Sequence, residues 1–276
     1  MKNFIYTIVL LISSFTKINA QFVGYYSLKD GGVDIQSSTL FVLEDHTFVI
    51  FSPGGNPIEG KWSDESKDKI KLERQIENQS IFSVYAITDI GNQGDIQFSP
   101  LEQLNLYVSF SQNEIKEIAY QPLFDEDWSC IDRNFQKKIP NKSNLMRLVS
   151  PSEGVDFSKD VKYPVASDVY TYNLLEKHSN YRVFIDPNAK VNFQFEIQKQ
   201  NEDYIINRID GYNPFICERN ELTEKMLINI KNALIPWQIL DLENKGVKVK
   251  KINPFQVEKL EVNKPTGKPL FISKCE

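Results

Sequence analysis

The side chains of this sequence that could do chemistry are two histidines, three cysteines and many scattered carboxylates, and their spacing assembles no familiar catalytic constellation. His46 stands between Asp45 and Thr47, and His178 lies in the polar run Glu176-Lys177-His178-Ser179-Asn180. A catalytic imidazole needs a nucleophile or an acid held beside it by the fold. Neither histidine has a local motif of that kind, so both read as surface residues. The sequence contains no Gly-x-Ser-x-Gly elbow, P-loop, dinucleotide fingerprint or His-Glu-x-x-His. Asp125-Glu126-Asp127 lacks the alternating ligands and the central glycine of a calcium loop, and reads as a solvated turn. Cys130, Cys217 and Cys275 are spaced too widely for a zinc site. In an oxidising compartment they allow one disulfide and leave one thiol over, with no pairing preferred. A carboxylate pair drawn from distant strands stays open, with no member nominated. The sequence therefore names no catalytic residue, metal ligand or cofactor, and a non-enzymatic protein is expected.

The elements that would position any site are clearer. Residues 1–20 carry Lys2, a nearly continuous apolar run from Phe4 to Phe15, and Ala20 before Gln21. That layout predicts a cleavable signal peptide, because the run is shorter than the roughly twenty apolar residues a membrane helix needs. No later stretch is long enough to span a bilayer, so the expected location is periplasmic or secreted. The net charge is −5 and no basic tract is concentrated anywhere, which argues against nucleic acid as a partner. The 41% hydrophobic share is that of a folded globular chain.

From Gln21 to about residue 150 the pattern predicts an antiparallel β domain, a barrel or a sandwich. Thr39–Leu43 and Thr47–Phe51 alternate about the turn Glu44-Asp45-His46, and Asp45 and His46 both tolerate a left-handed backbone. Lys69–Glu73 alternates with period two, and further strands are expected at 81–87, 104–110 and 145–149. Tyr25, Phe41, Phe48 and Trp62 form the candidate lining of a small-molecule pocket if this domain is a ligand-holding barrel. Aromatic residues at alternating strand positions serve equally as core.

The second half reads as α+β. Val191–Ile197 alternates, Tyr204–Ile209 returns it, and Asn220 is placed to cap a helix whose apolar face runs from Leu222 to Leu234. Pro236 should stop that helix. A last alternating strand begins at Val247, is interrupted at Pro254 and runs toward Leu260. The expected division is a signal at 1–20, a β domain at 21–150, an α+β domain at 158–262 and a tail at 263–276.

Two resemblances follow from particular residues. Gly24-Tyr25-Tyr26, Leu40–Leu43, Asp45, Thr47-Phe48, Gly60-Lys61-Trp62 and Ile70-Lys71-Leu72 resemble small lipocalin-like β domains of exported Bacteroidetes proteins. Lys162-Tyr163-Pro164-Val165-Ala166, Ala189-Lys190-Val191, Leu222-Thr223-Glu224, Trp237, Asn244–Val249 and Asn253–Val257 resemble the C-terminal domain of TonB-like energy transducers. The second resemblance implies a β-β-α-β fold that binds an envelope protein or peptide by strand addition. The anchor and the proline-rich spacer of that family are missing, so energy transduction is not implied. The strand expected to dock the partner carries Val247, Val249, Lys250, Ile252, Phe255 and Val257. The lysines around it could equally protect the edge from unwanted pairing.

Overall fold

The computed structural model describes residues 21–31, 34, 36–53, 55–74, 80–88, 94–99, 106–112, 119–124, 135–141, 143–152, 163–174, 180–190, 192–208, 213–265 and 267–272. The expected signal peptide, His178, Cys130, Cys275 and the run 125–127 lie outside them. Among the described residues the structure is mostly antiparallel β with two short α-helices. Among the described residues no helix is long and apolar enough to cross a membrane. The chain divides into two compact units, each built from two separate stretches. Met1–Glu77 with Asn192–Ile235 forms the first, and Asn78–Val191 with Pro236–Glu276 the second.

The first unit is an eight-stranded antiparallel meander. Its order is β1 (Gly24–Ser27), β2 (Thr39–Val42), β3 (Thr47–Phe51), β4 (Ile58–Ser66) and β5 (Lys69–Glu73), then β14 (Gln194–Gln200), β15 (Asp203–Arg208) and β16 (Phe215–Cys217). Alternate residues point inward, among them Tyr26, Phe48, Trp62, Leu72, Ile197 and Ile206, all fully buried or nearly so. The sheet nearly closes on itself. Asn220, just beyond β16, exchanges two backbone hydrogen bonds of 3.0 Å with Tyr25 of β1. A Cβ on Gly24 would stand 2.5 Å from the Asn220 carbonyl oxygen, so the seam needs glycine there. Gly60 meets the same demand beneath Phe48, whose ring would lie 2.3 Å from an added Cβ.

The β2–β3 turn forms as its residues predict. His46 takes a positive φ of 61° and stacks on Trp62 at 4.1 Å, while the Trp62 indole N–H donates to the Leu43 carbonyl. Asp45 accepts from the Thr47 amide at 3.1 Å. Helix α1 (Glu224–Ala233) completes this unit. Its cap is Thr223, whose hydroxyl accepts from the Met226 amide, and not Asn220, whose backbone is engaged in the seam.

The second unit holds two five-stranded sheets around one core. One has the order β10 (Gln136–Lys138), β7 (Asp95–Phe98), β13 (Asn180–Ile185), β6 (Phe82–Ile87) and β17 (Val249–Ile252), with only the β13–β7 pair parallel. The other is wholly antiparallel: β18 (Gln256–Val262), β12 (Val165–Asn173), β11 (Leu145–Pro151), β8 (Tyr107–Ser111) and β9 (Gln121–Pro122). Val84, Ile96, Val183, Met146, Leu148 and Tyr172 meet in the shared core. Pro236 ends one helical segment and opens the next, α2 (Trp237–Asn244), because a proline at a helix start loses no intrahelical bond.

The chain is thus divided differently from the sequence expectation. The boundary placed between 150 and 158 falls between β11 and β12, which pair over seven residues from Leu145↔Asn173 to Pro151↔Ser167. The order strand, strand, helix, strand is present at 194–262, but the strands after the helix do not join the sheet of β14 and β15. β14 pairs with β5 and completes the meander, whereas β17 pairs with β6 and β18 with β12. Period-two patterning identifies strands without naming their partners, and here the partners lie more than eighty residues away.

Candidate functional site

β17 and β18 are each the last strand of their sheet, and Asn253-Pro254-Phe255 joins them. The chain therefore runs along one sheet edge, turns at a residue without an N–H, and continues along a second edge. β18 is the longer. Its seven residues pair with β12 from Val165↔Val262 to Thr171↔Gln256. Among the described residues nothing pairs with its other side. In an antiparallel ladder alternate N–H and C=O groups face away from the paired strand, so this side offers free main-chain donors and acceptors. Residues 257–261 are all exposed, and the apolar members Val257 and Leu260 are 44% and 39% accessible. Phe255, just before the strand, is 53% accessible.

Of the docking residues expected from sequence, Val249, Lys250 and Ile252 lie in β17 and Val257 in β18. Val247 is half-buried and donates its amide to the Leu242 carbonyl at the end of α2, and Phe255 sits at the corner. The four expected pocket residues do not converge. Phe48 and Trp62 point into the meander and pack there, while Tyr25 and Phe41 stand on its outer face, 5.9 Å apart. Cys217 is a buried free thiol whose Sγ donates to the Ser27 carbonyl, and burial pushes it up from the ordinary thiol range. Among the described residues no group of His, Cys, Asp or Glu is placed to hold a metal ion.

A second feature lies on the outer face of the β18–β12–β11–β8–β9 sheet. The registers Ser109↔Arg147, Arg147↔Thr171 and Thr171↔Gln256 align one row of side chains across four strands. Tyr120 extends the row, because Gln121 after it pairs with Val108. Arg147 is 4% accessible, and its one hydrogen bond among the described residues goes to the Ser111 hydroxyl at 2.7 Å. Among the described residues the buried Tyr120 and Thr171 hydroxyl oxygens have no hydrogen-bond partner. Burial raises the Tyr120 hydroxyl above its ordinary value; the Arg147 charge opposes this and the Glu258 charge adds to it. A cavity of about 530 Å³ meets the row at Ser109 and Tyr120, and the end of β18 with the chain after it, Val262 to Pro265, forms its other wall. Sequence reasoning reached the strand at 145–149 but passed over Arg147. The visible signal was a cation in the middle of an apolar run, Leu145-Met146-Arg147-Leu148-Val149.

A third cluster is structural. Lys190 donates to Asp168 Oδ2 at 2.5 Å, to the Ser150 hydroxyl and to the Pro151 carbonyl, each at 3.1 Å, and Ser152 donates to Asp168 Oδ1. Burial alone would raise the Asp168 carboxyl. The hydrogen bonds from Lys190 and Ser152, with the charges of Lys190 and Lys259, outweigh it and hold the carboxyl below the usual range. Ser150 is fully buried, so the Ser150–Lys190 contact is not an accessible nucleophile and base.

No family model, curated protein or solved structure matches this chain.

Proposed function

We propose that this is an exported, non-enzymatic interaction protein of the cell envelope that captures an extended polypeptide by strand addition at β18. One observation carries this reading: a seven-residue edge strand with exposed Val257 and Leu260, preceded by exposed Phe255, and with no ladder partner on one side among the described residues. Main-chain hydrogen bonds would supply affinity, and the alternating side chains would select the partner. Glu258, Lys259 and Glu261 keep the same edge soluble until a partner with matching charges arrives. The reading retains strand addition from the TonB-like resemblance and moves it from 247–257 to 255–262. The rival reading, a small-molecule carrier built on the meander, has less to rest on, because the inward side chains already pack against one another.

The test is capture from the source envelope by the mature chain and by a Val257→Lys/Leu260→Lys variant. Both positions are exposed, so the variant should keep its circular dichroism and melting temperature while losing the captured protein. Undiminished capture by a folded variant would sink the edge assignment.

A further inference from the structure

The row Tyr120–Ser109–Arg147–Thr171 holds groups that the described residues do not satisfy. A buried charge is ordinarily paired, and buried hydroxyls ordinarily find a partner. Among the described residues a guanidinium with five N–H donors makes one hydrogen bond, and two hydroxyls in the same row make none. All three present donors, and the charge is positive. A water molecule could satisfy a hydroxyl but brings the guanidinium no charge. An oxyanion brings the row both the negative charge and the acceptors that its donors lack, and the planar fork of arginine matches two of its oxygens.

The surroundings narrow the class. The cavity reaching the row at Ser109 and Tyr120 has Phe110, Val262 and Pro265 among its walls, which suits an apolar body. Glu261 lines the same cavity and the Glu258 charge acts on Tyr120, so a second negative charge on the ligand would be repelled. Lys264 also lines it and favours one anion. We propose that this row and its cavity form a binding site for a small organic monocarboxylate, with Arg147 pairing the carboxylate and the Tyr120 and Thr171 hydroxyls donating to it. The proposal does not rest on strand addition at β18, although Glu261 and Val262 of that strand line the cavity.

The unmet hydroxyls also make the proposal separable from folding. Removing an unpartnered buried hydroxyl relieves a cost, so Tyr120→Phe and Thr171→Val should leave the protein at least as stable as before. If the hydroxyls hold a ligand, the same changes weaken binding. The experiment titrates the mature chain with sodium benzoate and with sodium octanoate, read by calorimetry and thermal shift. Benzamide and inorganic phosphate serve as comparisons at constant ionic strength. A saturable response to at least one carboxylate is expected, with benzamide and phosphate at least about tenfold weaker, as losing a charged hydrogen bond implies. Tyr120→Phe and Arg147→Met should each weaken that response, Arg147→Met by about tenfold or more. Should Arg147→Met fail to fold, Tyr120→Phe and Thr171→Val decide the matter. The proposal is overturned if neither carboxylate gives a saturable response, if benzamide or phosphate matches the carboxylates, or if folded variants bind as the parent does.

Discussion

Single residues in this protein act through what stands opposite them. Gly24 faces the Asn220 carbonyl at a distance that excludes a methyl group. Gly24→Ala is therefore expected to cost about 1–3 kcal/mol, the usual penalty of forced overpacking. Urea unfolding at constant m-value would measure it, and an unchanged midpoint would show that the seam tolerates displacement. Asp168 is governed by Lys190 in the same way. Its folded carboxyl titrates below the ordinary value of 3.8, so the stability it contributes is complete above that value and is lost as pH falls through the lowered one. In Lys190→Met the sign should reverse. Burial would then raise the carboxyl, the variant would be about 3–5 kcal/mol less stable near neutrality, and it would regain part of that loss on acidification. Melting temperatures of both proteins from pH 7 to pH 3 would reveal the crossing trends. Parallel curves would deny the pair its role.

At the scale of elements, local chemistry wrote itself plainly into the sequence and pairing did not. The β2–β3 hairpin is legible because Asp45 and His46 tolerate the turn and the flanking residues alternate. The interruption at Pro254 is legible because proline has no N–H to donate. The strands β12 and β13 were not foreseen. In β12 the six residues from Ser167 to Tyr172 are all buried, so no solvent-facing residue marks its period through the middle, and continuous burial erases alternation. Both candidate sites inherit this difference. The edge strand was foreseen as a strand but not as the neighbour of β12. The row around Arg147 exists only because β8, β11 and β12 come into register, and no local pattern encodes that. Thr223 displaced Asn220 as helix cap for a similar reason, since a contact with Tyr25 nearly two hundred residues earlier had claimed the asparagine.

At the scale of the molecule, the second unit's larger stretch enters between two adjacent strands of the first. Arg74 donates its amide to the Phe193 carbonyl across that entry point, so β5 and β14 have the geometry of a hairpin whose turn has been replaced by residues 75–192. A chain of residues 21–74 and 193–235 joined by Asn-Gly, which suits a two-residue hairpin, is expected to fold into the meander unaided. Cooperative thermal unfolding with a β-type circular dichroism spectrum would support this, and a non-cooperative melt would refute it. The same arrangement constrains how the protein comes into being. During synthesis β5 emerges with its outer side bare and must wait for roughly 120 residues, several seconds or more of elongation, before β14 arrives. Its sequence, Lys69-Ile70-Lys71-Leu72-Glu73, carries charges at alternate positions, which discourage a nascent edge from adhering to another chain. When β14 does arrive, Lys69 meets Glu196 at 2.8 Å. The lysine that keeps strangers off the unfinished barrel thus becomes the mark by which the delayed strand is received.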